Sequence, residues 1–352
     1  MLRSKQQKAI VSATAEDEVY VGLDVHVASI HVTVWKNGRC EADWTTSGDC
    51  GKLADQLEPL RLGLRKVAYE AGPTGFALAR LLSSRGLPVI VIAPSKTPRQ
   101  AVADAKTDRL DSRMLAEYAA KGLLKGITVP TEEEEYERAL SRRRTDVVQK
   151  VTAVKVKIKA ALRYHGCEAL KSWSAAGREL LLGTELPDKV RFILEGLFCE
   201  LDFHEDMKEQ VEAKLREVLA DGRHAAMAKR LQSHPGVGPV VSAYFMLELF
   251  RPERFKSGAA VVRYVGLAPG KRQTGATCRG GPLMKAGQGK LRALLVEAAW
   301  VWRMRDPKAR EIYGRLMSNT GNAKKSVVGL ARRLLLRLWS MAVYGMKYEP
   351  LA

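Results

Sequence analysis

Alternating apolar and polar residues from Val19 to Trp35 predict two β-strands near the start of the chain. Small residues at Ala28 and Ser29 allow a turn between them, and Asn37-Gly38 follows the second strand. The apolar pattern then predicts the next elements in this order: strand 41–46, helix 49–60, strand 65–70, helix 75–84 and strand 87–93. Three strands followed by helix-strand-helix-strand predict one mixed sheet.

Two carboxylates interrupt this apolar pattern, Asp24 in the first strand and Glu70 at the end of the fourth. A right-handed β-α-β connection places the fourth strand beside the first, so Asp24 and Glu70 are expected to be neighbours. An acid at the solvated end of its strand is the alternative interpretation of Asp24, because a buried carboxylate needs a cation or hydrogen-bond donors.

The segment 106–116 adds two more acids. If Thr107 caps a helix, Asp108 and Asp111 lie on one face of its first turns, where acids also favour the helix dipole without any further role. Asp104 could substitute for either. Four carboxylates clustered in one α/β unit would repel one another without a cation, and they are the hard oxygen ligands that Mg²⁺ or Mn²⁺ prefers. Two such ions can support phosphodiester cleavage.

The middle of the chain predicts two long helices. From residue 138 to 165 the pattern is strongly basic, and Asp146 is the only acid between Ser141 and Arg163. Residues 188–220 form a second amphipathic stretch, whose predicted inward positions are Phe192, Leu194, Leu197, Leu201, Met207, Val211, Leu215 and Leu219. An antiparallel hairpin or a dimerising coiled coil follows, with a basic face that either binds a nucleic-acid backbone or is only solvated.

The last third contains a Pro-Gly-x-Gly turn at 235–238, typical of a phosphate-binding helix-hairpin-helix element or of an ordinary interhelical turn. The glycine-rich basic stretch 270–281 is interpreted as a mobile loop that closes on a phosphodiester. Thr274 within it is a candidate nucleophile, because its positive surroundings would stabilise the transition state, although its hydroxyl could be incidental.

The composition of the chain indicates the chemical class of its partner. The chain has 352 residues, a formal net charge of +19 and a pI near 9.8, which favours nucleic acid. No apolar run spans a bilayer and no signal-peptide centre is present, so we expect a cytoplasmic protein with no membrane partner. Five scattered cysteines indicate reduced thiols, and a Gly-x-x-x-x-Gly-Lys-Ser/Thr phosphate loop is absent from the sequence.

These motifs, in this order, resemble the insertion-sequence-110 transposases, DEDD recombinases guided by a bridge RNA and related to Piv-type DNA invertases. The resemblance is carried by residues 22–26, Glu70 with Thr74-Gly75, Lys106-Thr-Asp-x-x-Asp111, the turn at 235–239, Tyr264-x-Gly-Leu-x-Pro269 and the run from Lys285 to Arg292. It implies an α/β plus all-α protein with a RuvC-like, RNase H-fold mixed-sheet domain, a helical coiled-coil arm and a small helical transposase domain.

The resemblance also implies roles. Asp24, Glu70, Asp108 and Asp111 would bind Mg²⁺ or Mn²⁺, and Thr274 would stand where the family usually has a nucleophilic serine. DNA, a structured guide RNA and further copies of the chain, as a dimer or tetramer, are the implied partners. The predicted nucleic-acid contacts are Lys106, Arg142, Arg143, Arg144, Lys155, Lys159, Gly236, Gly238, Lys271, Arg272, Arg279, Lys285 and Arg292.

The expected organisation is a disordered lead (1–16), a DEDD domain (17–127), a basic coiled-coil arm (128–225) and a C-terminal transposase domain (226–352). Two alternative functions stay open. One is a metal-dependent RuvC-like nuclease that uses water, and the other is a nucleic-acid-binding protein without catalysis.

Overall fold

The computed structural model describes residues 11–97, 108–167, 169–274, 277–283 and 287–349. Within these ranges the side chains of Lys96, of residues 108–110, 271–274 and 277–280, and of Pro282 lie outside the description. The chain forms two compact units, residues 1–131 and 132–352.

The first unit is built on a five-stranded sheet in the order β3-β2-β1-β4-β5. Its strands are β1 (Val19–Val25), β2 (Ser29–Lys36), β3 (Arg39–Ser47), β4 (Leu64–Glu70) and β5 (Val89–Ile92). The strand β2 runs antiparallel to both neighbours, while β1, β4 and β5 are parallel. The predicted pairing of the fourth strand with the first is confirmed.

Helices cover both faces of this sheet. On one face, α1 (Cys50–Leu57) and α2 (Ala77–Ser84) belong to the apolar core with Val21, Leu23 and Val32. On the other face, α3 (Asp108–Ala120) packs Leu115 and Ala119 with Ala68 of β4. Helix α2 begins two residues later than predicted and its N-cap residue is Phe76, so Thr74 does not cap it.

The second unit begins with a pair of long helices, α4 (Glu132–Tyr164) and α6 (Asp188–Ala220), joined through α5 (Ala175–Leu182). Lys155 pairs with Glu205 and Arg144 with Glu212, so the two long helices run antiparallel. Their shared core contains Val154, Ile158, Leu194 and Leu201, as the spacing predicts. Phe192, predicted to face inward, is instead 77% exposed.

A helical body completes the second unit. It contains α7 (Gly222–Gln232), α8 (Pro239–Leu249), α9 (Gly258–Val265), α10 (Gly289–Arg305), α11 (Pro307–Thr320) and α12 (Ala323–Tyr344). A β-hairpin, β6 (Pro269–Thr274) and β7 (Thr277–Leu283), lies between α9 and α10. Trp302 and Leu334 are fully buried in the core. No helix of the described ranges has the length and apolar character needed to cross a membrane.

Candidate active site

Asp24 and Glu70 lie at the carboxyl ends of adjacent parallel strands. The register pairs Gly22 with Ala68 and Leu23 with Tyr69, which brings Asp24 level with Glu70. Side chains alternate along a strand, so both carboxylates share a face with Gly22 and Ala68, the face that α3 covers. Both are partly exposed, and the side chain of Asp24 keeps 22% of its surface accessible. The fold therefore brings these two predicted acids to one edge of the sheet.

Gly22 lets α3 approach this face closely. A Cβ atom at Gly22 would stand 2.0 Å from the Ser112 carbonyl oxygen and 2.5 Å from the Ala116 nitrogen. The Ser112 and Thr33 hydroxyls form a buried hydrogen bond of 2.8 Å, which joins α3 to β2. Asp111 precedes Ser112, and Asp108 begins the helix three residues, about 4.5 Å along the axis, earlier. Asp111 is partly buried, whereas the Asp108 side chain lies outside the description.

Three neighbours of these carboxylates were not singled out from the sequence. The His26 Nε2 lies 3.2 Å from Asp24 Oδ2, and the Thr97 hydroxyl donates to Glu70 Oε1. His31, opposite Asp24 in the register of β1 and β2, holds Thr45 through Nδ1 at 2.8 Å. The His31 Nε2 is buried and has no hydrogen-bond partner in the described part of the chain. Because side chains alternate along each strand, His31 lies on the same face of the sheet as Asp24. Which residues His31 meets depends on the register between strands, and local sequence does not show that register.

The donor chemistry of this edge fits a hard divalent cation. Carboxylate oxygens on β1, β4 and α3 are the ligand type that Mg²⁺ and Mn²⁺ accept. Within the ranges that the structure describes, no three His, Cys, Asp or Glu side chains come together as a metal site. Of the predicted acids, the strand register brings Asp24 and Glu70 to the same edge of the sheet.

Thr274 ends the first strand of the β6–β7 hairpin. Its backbone pairs with Thr277, and Arg272 pairs with Arg279. Residues 270–274 and 277–281, interpreted from sequence as parts of a mobile loop, are therefore paired strands of an antiparallel ribbon. The side chains of Lys271, Arg272, Thr274 and Arg279 lie outside the description, and Lys106 and Lys285 lie outside the described residues altogether.

The basic face of α4 is partly neutralised by α6. Arg144 pairs with Glu212 at 2.6 Å and keeps 16% of its side chain exposed, while Lys155 pairs with Glu205 at 2.7 Å. Arg142, 63% exposed, lies 3.8 Å from Glu248. Arg143 and Lys159 are exposed. The exposed members of the predicted set are therefore the cations best placed to meet a polyanion.

The Pro-Gly-x-Gly turn connects α7 to α8. A Cβ at Gly236 would lie 2.5 Å from the Ala298 carbonyl oxygen, so this glycine, at φ +86°, permits close packing on α10. Gly238 is the N-cap of α8 and supplies no side-chain cap. A cavity of about 470 Å³ is lined by residues 232–238 and Arg305. Arg292 instead donates to the Val265 and Gly266 carbonyls at 3.3 Å, at the end of α9.

The strand order and the acids on β1 and β4 define the class of the first unit, a RuvC-like nucleic-acid enzyme domain. A transposase family model of the DEDD type from IS110 elements matches residues 21–166. A second model, described as the transposase IS116/IS110/IS902 family, matches residues 228–314. Together the two matches cover about two thirds of the chain.

Proteins that are similar to this chain over most of their length are also named as transposases. The protein y4qE of Sinorhizobium fredii, named as a transposase, is 28% identical over 345 residues, which are 94% of this chain and 83% of that protein. The transposase for insertion sequence element IS1533 of Leptospira borgpetersenii is 24% identical over 334 residues, 91% of this chain and 94% of its own. The chain belongs to the IS110 family of transposases, enzymes that act on DNA.

Proposed function

We propose that this transposase cuts and rejoins DNA strands with a divalent cation held by Asp24, Glu70, Asp108 and Asp111 and with the Thr274 hydroxyl as nucleophile. The observation that carries the proposal is the placement of Asp24 and Glu70 on one face at the ends of adjacent parallel strands. The start of α3, which bears the other two acids, packs on the same face through Ser112.

The carboxylates and the threonine hydroxyl have different roles in the proposed reaction. The four carboxylates would hold the ion, which would supply positive charge beside the reacting phosphate. The Thr274 hydroxyl gives up its proton to solvent as its oxygen bonds to phosphorus. The bond from phosphorus to one sugar oxygen breaks at the same time, and that oxygen takes up a proton from solvent. Attack by a hydroxyl of another strand then releases Thr274 and completes the exchange. The threonine methyl restricts χ1, so Thr274→Ser should act faster.

Nucleic-acid binding rests on the second unit. Exposed Arg143 and Lys159 on α4, the cavity beside Gly238 and the basic hairpin would bind phosphates of DNA and of a structured guide RNA. Such contacts recognise the backbone and leave sequence choice to base pairing. We also propose a homo-oligomer, a dimer or tetramer, in which the acids of one copy act with the hairpin of another.

A covalent adduct tests this mechanism. With Mg²⁺ or Mn²⁺, guide RNA and end-labelled DNA, the wild type should give a protein-DNA adduct that maps to Thr274 by mass spectrometry. Thr274→Ala should lose both adduct and strand transfer, and Asp24→Asn should lower cleavage by about 10²- to 10³-fold. Thr274→Ser, which keeps the hydroxyl, is the matched control.

The alternative functions give different results. If Thr274→Ala still cleaves while Asp24→Asn does not, water is the nucleophile and the protein is a RuvC-like nuclease. If no variant or wild type cleaves but all bind DNA or RNA tightly, the chain is a binding protein. Either result would contradict the covalent mechanism.

A further inference from the structure

A row of polar residues crosses the acidic edge of the sheet. The strand register pairs His31 with Asp24 on β1 and with Thr45 on β3. Glu70 lies level with Asp24 on the other side of β1. Paired residues of neighbouring strands have their side chains on the same face of a sheet. We call these four residues, in the order Thr45, His31, Asp24 and Glu70, the polar row.

The His31 ring is oriented by Thr45. Its Nδ1 lies 2.8 Å from the Thr45 hydroxyl oxygen, towards β3. The two ring nitrogens lie on opposite sides of the line from Cβ through Cγ, so Nε2 lies towards β1 and Asp24. Nε2 is buried and has no hydrogen-bond partner in the described part of the chain. Since a buried polar atom without a partner is uncommon, this nitrogen is a candidate for a functional contact.

Helix α3 brings its first turn to the same end of the sheet. The Ser112 carbonyl oxygen stands over Gly22 in the middle of β1. Ala119, later in the helix, belongs to the same apolar cluster as Tyr20, near the start of β1. The helix therefore runs opposite to β1, and its first turn, which contains Asp111, lies towards the polar row. His31 Nε2 thus lies on the face of the sheet to which β1, β4 and α3 all bring carboxylates.

These carboxylates determine which ring nitrogen of His31 carries the proton. With the proton on Nε2, the N–H group is directed towards negative charge and is attracted by it. With the proton on Nδ1, the Nε2 lone pair would face the same charge and be repelled. The Thr45 hydroxyl can donate to Nδ1 or accept from it, so it fits the favoured form by donating. Nε2 is therefore a hydrogen-bond donor directed towards the acids.

We propose that His31 is a positioning residue for the metal site. Its Nε2–H group donates a hydrogen bond to the Asp24 carboxylate and so directs a lone pair of that carboxylate towards the divalent cation. The inference rests on the cation of the proposed function and adds a group that orients one of its ligands. Hydrogen-bond partners of metal ligands fix the orientation of those ligands, and their loss typically lowers metal affinity by about 10- to 100-fold.

His26 contacts the same carboxylate in a different environment. Its Nε2 lies 3.2 Å from Asp24 Oδ2, but 54% of the His26 side chain is exposed. Water can therefore replace this contact, whereas the Nε2 atom of His31 is buried. Of the two histidines, His31 is the one held in a fixed orientation by a second hydrogen bond, to Thr45.

Mn²⁺ binding to the full chain without nucleic acid tests this role. Electron paramagnetic resonance of free Mn²⁺ gives the dissociation constant. His31→Asn keeps an amide near the position of Nδ1 and removes Nε2, so it should raise the dissociation constant about 10- to 100-fold. His31→Gln is the matched control, because its amide nitrogen can reach the position of Nε2, and it should bind Mn²⁺ nearly as the wild type does. Wild-type affinity in His31→Asn, or equal losses in the two variants, would overturn the inference.

Two adjacent threonines give an independent comparison. Thr45→Val removes the hydroxyl that orients the ring, so it should weaken Mn²⁺ binding, by less than His31→Asn does. Thr46→Val is the matched control, since Thr46 is buried on the opposite face of β3 and its hydroxyl has no hydrogen-bond partner within the described ranges. Thermal unfolding without the ion checks the fold of each variant. A Thr45→Val protein that loses thermal stability but keeps its Mn²⁺ affinity would show a purely structural role and contradict the proposal.

Nuclear magnetic resonance of ¹⁵N-labelled histidine tests the protonation of the ring. The His31 signals are those that disappear in His31→Asn. We expect a protonated Nε2 in the wild type, both without an ion and with Mg²⁺. An unprotonated Nε2 could not donate to Asp24 and would overturn the inference.

Asp24→Asn separates this inference from the proposed function. If the wild type binds no Mn²⁺, or Asp24→Asn binds it as tightly as the wild type, the metal site of the proposed function fails and the role of His31 fails with it. If Mn²⁺ binding depends on Asp24 but not on His31, the positioning role alone is wrong.

Discussion

At the scale of single residues, burial determines the chemistry of His234. It is 1% exposed and its ring packs edge-on against Trp302 and Tyr348. Nδ1 lies 2.9 Å from the Pro235 carbonyl oxygen, which can only accept, so the ring carries its proton on Nδ1. Nε2 is buried and has no hydrogen-bond partner within the described ranges. Desolvation lowers the pKa of His234 from 6.5 to about 4, and His234 stays neutral at neutral pH.

This lowered pKa predicts a loss of stability in mild acid. Below pH 6.5 the unfolded chain binds a proton at His234, whereas the folded chain does so only near pH 4, so acid favours unfolding between these values. The contribution amounts to roughly 3 kcal/mol over the whole window. Urea unfolding of the wild type at pH 7.5, 6, 5 and 4 should show that the free energy of unfolding falls as the pH decreases.

His234→Asn is the control for this pH dependence. The asparagine amide can still donate to the Pro235 carbonyl but does not titrate, so the variant should be less stable at pH 7.5 and lose less stability in acid. Parallel pH profiles for the two proteins would show that His234 is not responsible.

At the scale of elements, the packing of α3 on the sheet depends on Gly22. This glycine pairs in register with Thr33 on β2 and Ala68 on β4, at the centre of the sheet. The Ser112 carbonyl occupies the space of its missing Cβ. The backbone of β1 is hydrogen-bonded within the sheet and the backbone of α3 within the helix. Neither element can therefore move away locally without losing some of these hydrogen bonds.

We predict that Gly22→Ala lowers the free energy of unfolding of the first unit by about 3 kcal/mol, through a forced separation of α3 from β1. Gly314→Ala should instead raise stability by about 0.5–1 kcal/mol, because the position is helical and open. Thermal or urea unfolding of both variants provides the measurement. A Gly22→Ala protein as stable as wild type would mean that α3 does not lie this close to the sheet.

At the scale of the whole molecule, a net charge of +19 indicates general attraction to nucleic acid, but the structure distinguishes between individual cations. Arg143 and Arg144 are neighbours on α4, yet Arg143 is exposed while Arg144 is held by Glu212. A cation already paired within the protein releases fewer counterions from a bound phosphate.

These two arginines allow a matched comparison of binding. Arg143→Ala should reduce the slope of log K against log salt concentration for duplex DNA by about 0.9, the value for one lost phosphate contact. Arg144→Ala should leave this slope unchanged and lower stability instead, because Glu212 loses its partner. Fluorescence anisotropy between 50 and 200 mM salt measures both. Equal slopes for the two variants would show that Arg143 does not contact a phosphate of the bound DNA.

Sequence patterns alone predicted the elements that have a regular period of apolar residues. The predicted pairing of the fourth strand with the first and the predicted span of α6, residues 188–220, agree with the structure. The family resemblance is confirmed, whereas the roles of Asp24, Glu70, Asp108, Asp111 and Thr274 stay predictions. The interpretation of residues 270–274 and 277–281 as loop was wrong, because pairing between two strands depends on register more than on residue type.

By itself, the sequence determined the class of protein through its resemblance to a known family. Its apolar periodicity determined the strands of the first unit and the two long helices of the second, and it located the acids on β1 and β4, because these patterns are local. Only the tertiary structure decided which groups meet. It paired Arg144 with Glu212, fitted Gly236 against α10 and left Phe192 outside the helix pair. Each of these depends on which parts of the chain meet in three dimensions, and the local pattern of one element does not state which neighbour will cover it.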